Sequence, residues 1–182
     1  NIESLYLLTD AGSDKTLRVA LLSDLHIQRS PAAVSELSEL WSAVIKQAPD
    51  IILLAGDYIN DGNSNNDIAS IGPAIANVFW HSGDIPVVAV LGNHDHWSGA
   101  ESWIQYLSEA GVIVLENDTV MVDAIGTCIR GFGDAFTDHF EYVDFPRTCD
   151  DMLQISLMHD PAGAFNPKVK GLVLAGHTHC DQ

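Results

Sequence analysis

The sequence predicts an α/β fold in which two sheets pack face to face with helices outside. Three observations lead there. Short apolar runs of strand length recur along the chain, each ending in a turn signal. Over the first half they alternate with helical patterns, as in a mostly parallel sheet with covering helices. From Val112 to Gly133 the pattern changes to short strands separated by turns.

Each element follows from its residues. Val19-Ala20-Leu21-Leu22 reads as the first strand. Ser30-Pro31 then starts a helix, with Pro at its first position. Val34, Leu37, Trp41, Val44 and Ile45 fall on one face of it. Pro49-Asp50 stops it before the strand Ile51-Ile52-Leu53-Leu54-Ala55. The polar cluster 60–67 is expected to be a loop. A helix is expected over Ile68–Phe79, against the grain of Gly72-Pro73. The third strand is Val87-Val88-Ala89-Val90-Leu91. Ser98 and Glu101 have capping-box spacing, followed by an apolar stripe of Trp103, Ile104 and Leu107 up to Gly111. Turns are expected at Asn117-Asp118 and near Gly126, and an irregular segment over 137–151. Ile155-Ser156-Leu157-Met158 and Leu172-Val173-Leu174-Ala175 complete the strands.

Composition limits the functions open to such a fold. At 182 residues the chain has the length of one domain over 1–182 with a substantial core. Lys and Arg number 8 against 25 Asp and Glu, a net charge of −17. So acidic a surface repels phosphate backbones and anionic lipid heads, so no long nucleic-acid partner is expected. Cys128, Cys149 and Cys180 are sparse, odd in number and without a CxxC pair, which excludes a thiolate zinc site. Free thiols are expected, with Cys128 a small core residue. The chain begins at Asn1 and stops three residues after His179. Residues are therefore expected on both sides.

Chemistry gathers where the strands end. The five runs lead into Ser23-Asp24-Leu25-His26, Gly56-Asp57, Gly92-Asn93-His94-Asp95, His159-Asp160 and Gly176-His177-Thr178-His179. Ligands of α/β sheets collect beyond the carboxyl ends of strands. In an extended segment Asp24 and His26 would point the same way. Asp57 has two oxygens and can bridge two cations. Asn93 offers a neutral carbonyl oxygen, and the histidines offer ring nitrogens. Singly, each motif reads as a turn or rim residue. Together they place five of the eight histidines directly at strand ends, which argues for two divalent ions and a hydrolase. Oxygen and nitrogen donors without sulfur suit Mn, Fe or Zn better than Cu(I), and the histidines argue against Mg or Ca alone. His81, His96 and His139 lack this context and read as surface or loop residues, with His96 near enough to face substrate. No GxSxG elbow and no phosphate loop with a Lys is present.

The ordered series DxH, GD, GNHD, H, GHTH resembles the calcineurin-like metallophosphoesterase superfamily. The segments LLSDLHI, LLAGDY, AVLGNHDHW and LAGHTHCDQ look most like its bacterial YkuE/YaeI-like phosphohydrolase branch. The resemblance implies a four-layer αββα sandwich with two mixed β-sheets flanked by helices. It implies that Asp24, His26, Asp57 and His179 hold one metal ion. Asp57, Asn93, His159 and His177 would hold the other, with Asp57 bridging. His94 would face the phosphate and Asp95 would orient it by hydrogen bond. Relatives usually continue GHTH with Gly-Gly-Gln and then further strands, so the resemblance implies that the domain over 1–182 lacks its C-terminal strands. Here Cys180-Asp181-Gln182 follows, and Asp181 adds negative charge beside an anionic substrate.

The activity implied is dinuclear-metal-dependent hydrolysis of phosphodiester, pyrophosphate or phosphomonoester bonds by metal-bound hydroxide. A small-molecule or lipid-linked phosphoester is the implied substrate. Relatives often carry an N-terminal signal or membrane anchor, so one is expected upstream of Asn1. A bacterial cytoplasmic or membrane-associated site of action would follow. Two other readings compete. A catalytically inactive scaffold of the same fold would lose ligands, whereas every ligand position here is filled. A dinuclear amidohydrolase would want an early HxH and a Lys or Glu bridge, which the chain lacks.

The charge balance generates a test. Generic duplex DNA or RNA should show no tight, salt-sensitive binding in a filter or anisotropy assay. Affinity that falls steeply with salt would contradict this.

Overall fold

A computed structural model describes residues 16–60 and 65–179. The strands are β1 (Val19–Leu22), β2 (Ile51–Leu54), β3 (Val87–Ala89), β4 (Ile113–Val114), β5 (Asp118–Val122), β6 (Thr127–Gly131), β7 (Leu153–Leu157) and β8 (Leu172–Leu174). The helices are α1 (Pro31–Ile45), α2 (Asn65–Phe79) and α3 (Asn93–Glu109). They form two four-stranded sheets, β1-β2-β3-β4 and β5-β6-β7-β8. The described strands of the first sheet are parallel throughout, and the second is mixed, with β5 antiparallel to β6. The expectation of mixed pairing thus applies to the second sheet.

β2 shows how an unbroken apolar run serves two layers. Ile51, Ile52, Leu53 and Leu54 are all fully buried. Alternate side chains point to opposite faces. Ile52 and Leu54 pack against the helices with Leu37, Trp41, Ile75, Phe79 and Trp103. Ile51 and Leu53 pack between the sheets with Val88, Val90, Ile129, Ile155 and Leu157. Burying each such side chain is worth about 1.5–3 kcal/mol. A strand covered on both faces has no polar face to show in its sequence.

The first helix starts where expected, and α2 and α3 do not. Ser30 does cap α1, its hydroxyl accepting the Ala33 amide at 3.2 Å. α2 begins at Asn65 and runs through Gly72-Pro73 to Phe79. Pro73 costs one helical hydrogen bond. A Cβ on Gly72 would stand 2.8 Å from Tyr106 Cδ2 of α3, so the bare glycine lets the two helices approach. Packing outweighs propensity here. α3 begins at Asn93, five residues before Ser98, and is interrupted at Gly99 (φ 126°, ψ 83°). Ser98 does not form the expected box. Its hydroxyl contacts the Asp95 carbonyl at 3.2 Å and accepts the Trp103 indole N–H at 3.0 Å.

The outer face of the second sheet carries Cys128, Arg130 and Ser156. Among the described residues, the segment after β6 and the short turn Arg147–Cys149 cover it, in place of a long helix. Arg130 is buried. Its guanidinium bonds the Ser156 hydroxyl at 2.8 Å and the Val143 carbonyl at 2.9 Å. It also lies over the rings of Phe132, Tyr142 and Phe145, at 4.8, 5.5 and 4.3 Å from their centroids. Beside it Cys128 and Cys149 form a disulfide, with Cα atoms 5.9 Å apart. This corrects the expectation of free thiols for these two. A pairing 21 residues apart in sequence depends on how the segment folds back, which cysteine counting does not reveal. Cys180 lies outside the described residues. No helix of the described residues is long and apolar enough to cross a membrane.

Closing a loop of this length stabilises a fold by about 3 kcal/mol on the chain-entropy model. Cys128→Ser with Cys149→Ser should therefore lower the denaturant midpoint of the full chain by that equivalent. Reduction of the wild type should reproduce the shift, and an unchanged midpoint in both would contradict the bridge.

Candidate metal centre

Parallel pairing brings the carboxyl ends of the strands to one rim, and hydrogen bonds carry the order beyond them. The Asp24 amide donates to the Gly56 carbonyl and the His26 amide to the Asp57 carbonyl, both at 3.0 Å. A bridge between Ile27 and Ile59 continues this parallel path. The two sheets meet at the same rim. The Gly176 amide donates to the His159 carbonyl at 3.0 Å, and the His177 amide to Asp24 Oδ2 at 2.9 Å.

Asp24 and His26 are not in extended backbone, as the sequence suggested. Asp24, His26, Asp57, His177 and His179 all have φ between 43° and 69°. The left-handed region costs a non-glycine residue about 1–3 kcal/mol and is occupied only where the surroundings enforce it. Sharp alternating turns, and not pleating, bring these side chains together.

The geometry forms two groups about one carboxylate. Asp24, His26 and His179 each offer a donor atom within 4.8 Å of the others, as do Asp57, His159 and His177. His26, Asp57 and His94 form a third such set between them. Asp57 Oδ2 stands 3.3 Å from His159 Nε2 and 3.7 Å from His26 Nε2. His159 Nε2 also lies 3.2 Å from Asn93 Oδ1 and 3.2 Å from His177 Nδ1. In the other group His26 Nε2 and His179 Nε2 approach to 2.9 Å, with Asp24 Oδ1 3.2 Å from the latter.

These donors fit a cation. His159 Nδ1 faces the Ala55 carbonyl at 2.7 Å. A carbonyl can only accept, so Nδ1 bears the proton and Nε2 presents its lone pair. That lone pair meets a carboxylate oxygen, an amide oxygen and a second imidazole. Only a proton or a metal ion at their centre relieves such a convergence.

The charges respond accordingly. Burial opposes ionisation of both Asp57 and His159. The hydrogen bond and mutual charge win, lowering Asp57 and raising His159 to about 9. His26 is lowered by burial, against the pull of Asp57. His96, behind His94 on α3, is lowered to about 4 by burial and by His139.

Asp95 differs from expectation. It is fully buried and turned away from His94. Its Oδ2 accepts the amides of Asp57 at 2.7 Å and Gly92 at 2.9 Å, and its Oδ1 that of Tyr58 at 2.9 Å. Burial, then the charge of Asp57, raises it to about 7 against these three amides. His94 Nδ1 has no hydrogen-bond partner. Its ring lies against His26 and Trp97, at 4.8 and 5.2 Å between centroids, and its amide donates to Asp57 Oδ1 at 3.0 Å. The Asn-His-Asp spacing suggested a side-chain contact, but the helix starting at Asn93 turns Asp95 inward. Gly92 must also be bare, since a Cβ there would meet the Asp57 amide and His159 Cδ2, each at 2.8 Å.

Sequence reasoning missed the mouth of the site. Trp97 and Phe136 are 46% and 57% exposed. Their rings lie 6.0 Å apart, and Phe136 is 5.3 Å from His177. The available signal was Trp97 directly after the His94 cluster, with Phe136 opening an aromatic segment that runs to Phe145.

Residues 17–181 match the model for calcineurin-like phosphoesterases. The chain belongs to that family. Three relatives are informative. A protein named as an uncharacterized metallophosphoesterase, from Aquifex aeolicus, is 25% identical over 90% of this chain and 63% of its own length. Another with that name, from Helicobacter pylori strain J99, is 27% identical over 93% of this chain and 46% of its own length. Escherichia coli phosphodiesterase YaeI is 28% identical over 91% of this chain and 61% of its own length. The chain thus spans less than two thirds of each relative. The family implies divalent metal ions, and the structure gathers side chains able to hold them.

The Asp57–His159 pair generates a test. In metal-free protein its contribution is complete below the ordinary imidazole value of 6.5 and is lost as pH rises through about 9. Chelator-treated protein should therefore lose Tm across that window more steeply than Asp57→Asn, which lacks the raising charge. Parallel slopes would contradict the pairing.

Proposed function

We propose that this chain hydrolyses phosphodiesters at a two-metal centre. The observation that carries the reading is the placement of the Asp57 carboxylate, within 4.0 Å of His26, His94 and His159. Asp24, His26 and His179 would hold one ion, and Asn93, His159 and His177 the other, with Asp57 shared. Divalent ions bound there supply Lewis acidity toward the phosphoryl oxygens and activate water. Family membership and the printed name of the Escherichia coli relative support phosphoester chemistry.

The remaining work falls to the chain. The carboxylates of Asp24 and Asp57 would offset the charge of the cations, and Asp57 is held ionised, against its burial, by its hydrogen bond to His159. The Ala55 carbonyl keeps the His159 lone pair aimed inward. His94 Nε2, 4.0 Å from Asp57 Oδ2, would bond a phosphoryl oxygen and pass a proton to the leaving oxygen. Trp97 and Phe136 give the mouth an apolar wall, which suits an organic group beside the scissile phosphate better than a bare polyanion. The net charge of −17 favours the same choice.

His94→Ala should keep near-normal metal content and lose turnover by about 10²–10⁴-fold. The loss should be larger for alkoxide than for nitrophenolate leaving groups, since only alkoxide needs the proton. Loss of a metal ion would make His94 a ligand, and an equal loss for both leaving groups would leave it an electrostatic role. Asp57→Asn should release at least one ion. Retention of both ions with normal turnover would remove the shared-carboxylate reading.

A further inference from the structure

A second cluster of donors lies outside the groups around Asp57. His96 on α3, Glu116 in the link between β4 and β5, and His139 in the segment after β6 each offer a donor atom, all within 4.8 Å of one another. We propose that these three residues form a separate site for one zinc-class divalent ion, which fastens the segment bearing Phe136 to α3. The inference is independent of how many ions Asp57 shares.

The segment bearing His139 is held in place before any ion arrives. Asn117, next to Glu116, clamps the segment that carries His139. Its Oδ1 accepts the amides of Gly133 and Glu141, each at 2.9 Å, and its Nδ2 donates to the His139 carbonyl at 2.8 Å. The orientation of the His139 ring is also set. Thr137 Oγ1 donates to Asp134 Oδ2 at 2.7 Å and lies 2.9 Å from His139 Nδ1. A hydroxyl has one proton, and the carboxylate can only accept it. His139 Nδ1 must therefore donate, leaving the lone pair on Nε2. A carboxylate-supported imidazole of this kind is the usual outer support of a metal ligand.

His96 completes the set. Its ring stacks on His139 with centroids 3.9 Å apart and planes 20° apart, so the His96 ring must turn for both lone pairs to meet one ion. Its Nε2 is buried without a hydrogen-bond partner. Two nitrogens and one carboxylate oxygen suit zinc, with a fourth position open to water. The three ligands come from three separate segments, so one ion would join the start of α3, the link between the sheets and the segment bearing Phe136.

The test uses the full chain and zinc itself. At equal free zinc, equilibrium dialysis should find one ion fewer on His139→Ala and on Glu116→Gln than on wild type. Thr137→Val keeps all three donors but removes the support of His139, and should weaken that ion's binding by about 10–100-fold. In wild type, zinc should protect the exposed His139 from diethyl pyrocarbonate while exposed His81 reacts as before, read by peptide mass spectrometry. Equal ion counts in wild type and variants, or unprotected His139 at saturating zinc, would overturn the proposal. Loss of ions from Asp57→Asn bears on the other groups alone, so the two readings fail separately.

Discussion

The carboxylate of Asp95 accepts the amides of Asp57, Tyr58 and Gly92, and so ties the end of β2 to the end of β3. The position of Asp57 follows from this, because its backbone is gripped from behind while the His94 amide holds Oδ1. Removing a buried acceptor of three amides would strand all three, each at about 1–3 kcal/mol. Asp95 holds the backbone beneath the site and repels the Asp57 carboxylate by charge.

The rim is costly to build. Five candidate ligands sit in left-handed backbone, imidazoles crowd to 2.9 and 3.2 Å, and the buried carboxylates of Asp57 and Asp95 repel one another. Each is unfavourable in isolation. They persist because the hydrophobic layers on both sides of β2 make the strand ends rigid. The local conflict at one edge is balanced by packing elsewhere, and it lies where charge has to be concentrated.

Much of this was legible in the chain. The apolar runs at 19–22, 51–55, 87–91, 155–158 and 172–175 marked β1, β2, β3, β7 and β8, because strands packed between layers are mostly apolar. All seven candidate metal ligands stood directly after those runs, since strand ends are where the backbone turns. The start of α2 at Asn65 was not legible, because the polar residues there read as part of a loop. Nor was the inward turn of Asp95, which depends on α3 starting at Asn93. The Cys128–Cys149 bridge and the His96, Glu116 and His139 cluster both need the segment after β6 to fold back. That segment has no periodicity to announce its path.

The bridge also ties the molecule to its chemical surroundings. Where thiols are kept reduced, the cover over the second sheet would depend on the aromatic cage around Arg130 and its hydrogen bonds. Where thiols are oxidised, the cover is covalently anchored. The same segment carries Phe136 and His139 to the rim. The redox state of the compartment is therefore coupled, through one bond on the far face of a sheet, to how firmly the mouth of the site is held.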